Sequence, residues 1–334
     1  MGLLVILRGV FFLGYPERSL TMNYLLLILG FFFLVKGADI FVEGSSNLAK
    51  VLRVPTLIIG LTIVAFGTSA PEAAVSITAS FNGSNEITIG NVLGSNICNL
   101  LLVLGTSALF KNLKTQKKVV QRDYLFCIFS SVVLLIMVSE EFLLGKEIAV
   151  ITRSEGLILL CFLGIYLYAL ILEAFSENKK LTVEKRKFSW KDIVWIVLGI
   201  LGILLGGNLV VNSAVKIAEA YHISENLIAL TIVAIGTSLP ELVTSVVAAI
   251  KGETDIAIGN VIGSNIFNIF FILGLSSAIT PLSLDFSSLM DILVMTSVEI
   301  LVYLLMLRKL EINKKKGLFM LLLYTSYVVY IIVR

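Results

Sequence analysis

The residues best suited to chemistry are two glutamates, Glu72 and Glu241, each closing a Gly-Thr-Ser-x-Pro-Glu run inside a strongly apolar stretch. An ionised carboxylate at the centre of a membrane span costs roughly 2.5–3.5 kcal/mol on insertion scales, so it persists only where something compensates it. No Lys or Arg lies within either stretch, and the missing counter-charge is therefore expected to be a bound cation. On a helix of 3.6 residues per turn, Ala65, Thr68, Ser69, Glu72 and Ser76 share one broad face, as do Ala234, Thr237, Ser238, Glu241 and Ser245. Pro71 and Pro240 have no amide hydrogen, which predicts a broken ladder at the carbonyls of Gly67 and Gly236 and frees backbone oxygens. Further along, Asn91, Ser95 and Asn99 recur at spacings of four, and so do Asn260, Ser264 and Asn268. A hard cation such as calcium takes about six to eight oxygen ligands, and these side chains supply them. The neighbouring Gly90, Gly94, Gly259 and Gly263 read as small-residue packing positions.

These groups recur because the chain repeats itself. Leu61–Gly105 aligns without a gap onto Leu230–Gly274, every pair being 169 residues apart: GLTIVAFGTSAPE becomes ALTIVAIGTSLPE, and IGNVLGSNICN becomes IGNVIGSNIFN. A weaker echo upstream matches Gly37 to Gly206 and Ala49 to Ala218. That offset carries the chain across about five spans, an odd number, so the second copy enters the membrane from the opposite side. Inverted halves bring corresponding residues together near the bilayer midplane.

The elements that position these residues must therefore be transmembrane helices. Of 334 residues, 57% are hydrophobic and 15% charged, and the mean hydropathy is +0.98, outside the range of a soluble domain. The expected fold is an all-α integral membrane protein of about ten transmembrane helices in two inverted five-helix repeats. The spans start near Tyr24, Thr56, Ile87, Tyr124, Glu155, Ile193, Asn226, Asp255, Ser288 and Leu318. Residues 1–21 read as an N-terminal extension ahead of an alternative start at Met22, since Leu3–Tyr15 is too short to span and contains Arg8. The first repeat is expected over 22–174, a basic cytoplasmic loop over 175–191 and the second repeat over 192–334. Basic residues concentrate in three connections, around Lys111–Arg122, Lys179–Lys191 and Arg308–Lys316. By the positive-inside rule these are cytoplasmic, which puts both chain ends outside.

The motifs GTSAPE and GTSLPE, each followed by GNVxGSNIxN, resemble the alpha repeats of the cation/calcium exchanger superfamily, within its sodium/calcium exchanger branch of prokaryotic type. The resemblance implies a four-helix core, a calcium site between the two glutamates and sodium sites around it. Carried over by position, its ligands are Ala65, Thr68, Ser69, Glu72, Ser95 and Asn99 with Ala234, Thr237, Ser238, Glu241, Ser264 and Asn268, the alanines and threonines acting through backbone carbonyls. In the family that it resembles, some prokaryotic members and the potassium-dependent exchangers have aspartate where this chain has Asn268, which argues against potassium co-transport. Proton/calcium members have an acidic residue after the Gly-Asn pair, where Val92 and Val261 stand here.

The expected activity is sodium/calcium antiport by alternating access in a cell membrane, with calcium, sodium and lipid as the only partners. A single copy can serve as the unit, and neither a cofactor nor nucleic acid is expected. A proton/calcium antiporter using the same glutamates is the alternative, a channel a weaker one, and manganese a possible other cargo. The chain carries no P-loop, Gly-x-Ser-x-Gly or His-Glu-x-x-His motif, so an enzyme is not expected. Its one histidine, His222, reads as a surface residue, and Cys98, Cys127 and Cys161 have neither disulfide nor zinc-site spacing.

Overall fold

A computed structural model describes residues 17–145, 148–178, 189–222, 234–307 and 309–333. Nearly all of these are helical. Among the described residues, eight helices are long and apolar enough to span a bilayer, and one bent pair counts as a ninth span. The span expected to start near Asn226 begins outside the described residues, as do residues 1–16 of the expected 1–21 extension and the centre of the basic loop, whereas 17–21 belong to the first helix.

Helix α1 is Glu17–Leu52. A broken span follows, made of α2, Thr56–Thr68, and α3, Ala70–Phe81, bent by 50°. Next come α4, Asn85–Phe110; strand β1, Leu113–Lys114; α5, Val119–Ser139; strand β2, Ala149–Ile151; and α6, Arg153–Asn178. The second half contains α7, Trp190–Ala220; α8, Ala234–Gly236; α9, Leu239–Lys251; and α10, Thr254–Ile279. It ends with β3, Leu282–Leu284; α11, Phe286–Leu307; β4, Glu311–Ile312; and α12, Lys314–Val333.

The sequence offset reappears in space. Both bounds of α4 and α10 differ by the same 169 residues as the motifs they carry. Gly83 and Gly252, one offset apart, end the helices before them with φ of 73° and 84°, a left-handed conformation that glycine adopts without a Cβ clash. Two small ladders absent from the all-helical expectation tie the halves together: β1 pairs antiparallel with β4, and β2 with β3. Each joins one repeat to the other, and the two ladders exchange under the pseudo-two-fold.

The layers follow burial. The most apolar windows of α4 and α10 are 72% and 89% buried, against 17–39% for the other single spans, so these two helices form the centre. Against it lie the broken spans, with α5, α6, α11 and α12 outside. Helices α1 and α7 pack along each other through glycines. A Cβ on Gly206 would sit 2.5 Å from the backbone nitrogen of Leu34, and one on Gly37 2.7 Å from that of Ile203. Close backbone approach through small residues drives association where lipid is as apolar as leucine. Side chains such as Leu25, Ile28 and Phe32 on α1 are exposed, as a lipid-facing surface requires.

The glycine expectation is met in the second copy. Gly259 and Gly263 of α10 lie against Leu57, Gly60, Leu61 and Ala65 of α2, close enough that a Cβ would meet backbone at 2.9 Å or less. Gly90 and Gly94 of α4 have no described neighbour within 4 Å of a built Cβ, and Gly90 is exposed.

Candidate cation site

The break between α2 and α3 falls at Ser69, whose φ of −80° and ψ of 6° leave the helix. Pro71 opens the next segment within its first two positions, where its missing N–H does no harm. The same happens at Ser238 ahead of Pro240. The five residues expected on one helical face are thus divided between two half-helices, two residues later than the carbonyl at which the ladder fails. The break aims both half-helices at one locus. Glu72 and Glu241 each lie in the first turn of the second half-helix, at the positive end of its dipole.

Both carboxylates are fully buried, and neither meets a basic side chain among the described residues. Ser69 donates across the repeats to Glu241 Oε1 at 2.9 Å. Among the described residues, no well-formed hydrogen bond reaches Glu241 Oε2 or either carboxylate oxygen of Glu72. The hydroxyls of Ser95, Ser238 and Ser264 and the side-chain oxygens of Asn99 and Asn268 are also buried and unpartnered. Buried oxygens are ordinarily partnered, and this many of them at symmetry-related positions, two of them on carboxylates, form a shell suited to a cation. No group of three His, Cys, Asp or Glu occurs among the described residues, so any shell must combine two carboxylates with hydroxyl, amide and carbonyl oxygens.

The other expected residues play more varied parts. Thr68 donates its hydroxyl to Asn260 Oδ1 at 2.9 Å, and Thr237 donates to Asn91 Oδ1 at 3.3 Å. Their hydroxyls are thereby committed, which leaves the backbone carbonyls for other work. The carbonyl of Ala65 accepts from the amide of Ser69 at 3.0 Å, whereas the amide of Ser238 donates to the carbonyl of Ile235 at 3.1 Å. Ala234 opens α8.

Asn91 and Asn260 are braces and not open ligands. Asn91 Nδ2 donates to Ser76 Oγ at 2.9 Å and to the carbonyl of Glu72 at 3.2 Å, and Asn260 Nδ2 to Ser245 Oγ at 2.9 Å. Sequence reasoning missed Asn96 and Asn265. Their amides join α4 to α10, and the one signal for them was the Gly-Ser-Asn triplet in both copies. It also missed Glu299, a buried carboxyl on α11 that accepts from Ser131 of α5.

Comparison with known proteins accounts for this geometry. The sodium/calcium exchanger protein family matches residues 22–172 and 191–333. The chain belongs to that family. The sodium/calcium exchanger MaX1 of Methanosarcina acetivorans is 35% identical over 344 residues, covering 93% of this chain and 98% of its own. The inner membrane protein YrbG of Escherichia coli is 36% identical over 270 residues, covering 78% and 81%. Among solved structures, the sodium-calcium exchanger NCX_Mj soaked with sodium and strontium aligns at a TM-score of 0.79 with 32% identity, over 93% of this chain and 99% of that one. Membership fits a multi-pass helical protein with inverted repeats, the architecture expected from the repeat offset.

Proposed function

We propose that this chain exchanges sodium for calcium across a membrane, both ions competing for the oxygens between Glu72 and Glu241. The observation that carries the reading is the pair of buried carboxylates with orphaned oxygens and no basic partner, contributed symmetrically by two inverted repeats. Two negative charges balance one calcium ion, and several sodium ions can hold the same pocket in its place. Glu72, Glu241, Ser69, Ser95, Ser238, Ser264, Asn99 and Asn268 supply side-chain oxygens in this scheme, and Ala65, Thr68, Ala234 and Thr237 supply backbone carbonyls. If more than two sodium ions replace each calcium, the cycle moves net charge and responds to voltage by about 2.3 kcal/mol per elementary charge per 100 mV.

Gly90 is exposed and Asn91 half-buried, whereas Gly259 and Asn260 are buried beneath α2. With the basic connections cytoplasmic, the end where α4 begins faces outside and so do both termini. Interchanging the surroundings of α4 and α10 yields the opposite state, as inverted repeats allow.

Naming of relatives as sodium/calcium exchangers favours sodium over protons as the counter-ion. The test is radioactive calcium uptake into proteoliposomes loaded with sodium or with potassium, in wild type and Glu241→Gln. Uptake that needs internal sodium and is lost in the variant is expected. Uptake indifferent to sodium but driven by a pH gradient would transfer the assignment to proton/calcium antiport.

A further inference from the structure

Four amides meet where α4 lies against α10. Asn96 Nδ2 donates to the backbone carbonyl of Asn265 at 3.3 Å, and Asn265 Nδ2 returns the bond to the carbonyl of Asn96 at 3.2 Å. A carbonyl can only accept, so each amide must turn its nitrogen to the opposite backbone and its oxygen away from it. Those oxygens are taken by the second pair. Asn268 Nδ2 donates to Asn96 Oδ1 at 3.0 Å, and Asn99 Nδ2 to Asn265 Oδ1 at 3.2 Å. The direction of each bond is therefore inherited from the backbone in two steps, and it leaves the oxygens of Asn268 and Asn99 on the far side. Both of those oxygens are buried and unpartnered.

The location of the second pair matters as much as its orientation. Asn99 and Asn268 each begin a short π-helical turn within α4 and α10. The turn from Asn268 packs against α3, which carries Glu72, and the turn from Asn99 packs against α9, which carries Glu241. Such turns widen a helix locally and are frequent at functional sites. An asparagine there can present either an oxygen, which binds a cation, or an NH2 group, which repels one. The two differ only by a half-turn of the side-chain amide.

We infer that Asn96 and Asn265 are positioning residues for ion binding, holding Asn268 and Asn99 with the amide oxygen, and not the nitrogen, toward the cation. The inference rests on the exchange reading of the Glu72–Glu241 site. Without an acceptor at 96, the NH2 of Asn268 is buried against nothing that can receive it, and the amide does better by turning that group into the polar site. Apparent affinity then falls by the fraction of molecules left in the competent orientation, roughly tenfold or more.

The experiment is a double-mutant cycle on the full chain in proteoliposomes, following sodium-driven calcium uptake for Asn96→Leu in the wild-type and Asn268→Ala backgrounds. In the wild-type background the calcium concentration for half-maximal uptake should rise roughly tenfold while the maximal rate changes little. In the Asn268→Ala background, where no amide is left to orient, the same substitution should change it by less than about twofold. Equal rises in both backgrounds would reduce Asn96 to a packing residue and overturn the inference. The mirror cycle, Asn265→Leu with Asn99→Ala, carries the test where Asn96→Leu fails to assemble, and Asn96→Ala is the milder substitute. A wild type without sodium-driven uptake would refute the exchange reading itself, a result distinct from an additive cycle.

Discussion

Replacing Glu72 by glutamine keeps the shape of the site and removes one of its two charges. At an effective dielectric constant of about 20, a unit charge 4 Å from a monovalent ion interacts by about 4 kcal/mol, and from a divalent ion by about 8 kcal/mol. Desolvation offsets much of this, and losing one partner of a buried charge pair typically costs about 2–5 kcal/mol, or roughly 30-fold to several thousand-fold in affinity. Glu72 should sit high in that range, because both of its oxygens are free for the ion while Glu241 shares one with Ser69. Calcium should lose more affinity than sodium, since the Coulomb term scales with ion charge. The assay is calcium-induced thermal stabilisation of purified protein, paired with calcium uptake into sodium-loaded proteoliposomes. In the wild type, calcium at about 100 times its dissociation constant adds about 2.7 kcal/mol of stability. Glu72→Gln should lose that response at the same concentration and should be no less stable without ions, because a buried repulsion has been removed. Half-maximal uptake within about threefold of wild type would refute the argument, since the smallest expected loss is about 30-fold.

Three further outcomes follow from particular contacts. Ser69→Ala deletes the donor to Glu241 Oε1; a hydrogen bond to a charged group is worth about 1.5–3 kcal/mol, so half-maximal calcium should rise about tenfold or more, and an unchanged uptake curve would exclude a role for this bond. Gly206→Ala places a Cβ 2.5 Å from the Leu34 nitrogen and 2.7 Å from the Gly30 carbonyl, backbone atoms that cannot step aside, and should destabilise the α1–α7 pair by about 1–3 kcal/mol in a melting experiment. Lys251→Met removes an ion pair from α9 to Asp39 of α1, at 2.7 Å; at this partly exposed site stability should change by less than about 1 kcal/mol. Asn82 and Asn208 stand at the offset-related positions, so the charged tether exists on one face only. Its loss should reduce thiol labelling of Gly90→Cys from outside, and unchanged labelling would show that the tether does not bias access.

The sequence alone determined most of what is periodic or compositional. Apolar runs fixed the spans because a bilayer needs roughly 20 apolar residues per helix, and the structure starts its described spans within a few residues of those expectations except near Tyr24 and Tyr124. Two uncompensated glutamates in a gapless repeat marked the candidate site, because a buried charge has few other reasons to exist, and the motifs around them carried the family resemblance. Proline predicted that the motif helix breaks. Where it breaks was decided by Ser69 and Ser238 leaving helical geometry, with each proline accommodated in the segment that follows.

Only the tertiary structure decided the rest, since the two copies say the same thing about themselves and nothing about what lies across from them. That Ser69 reaches Glu241 of the other repeat, that Asn96 and Asn265 trade bonds with each other's backbone, and that the ladders pair strands of opposite repeats are all contacts between residues far apart in the chain. The contrast between exposed Gly90 and buried Gly259 has the same origin. Equal motifs imply equal local propensity, but burial depends on where neighbouring helices rest, and a fold built from interchangeable halves must choose one arrangement at a time.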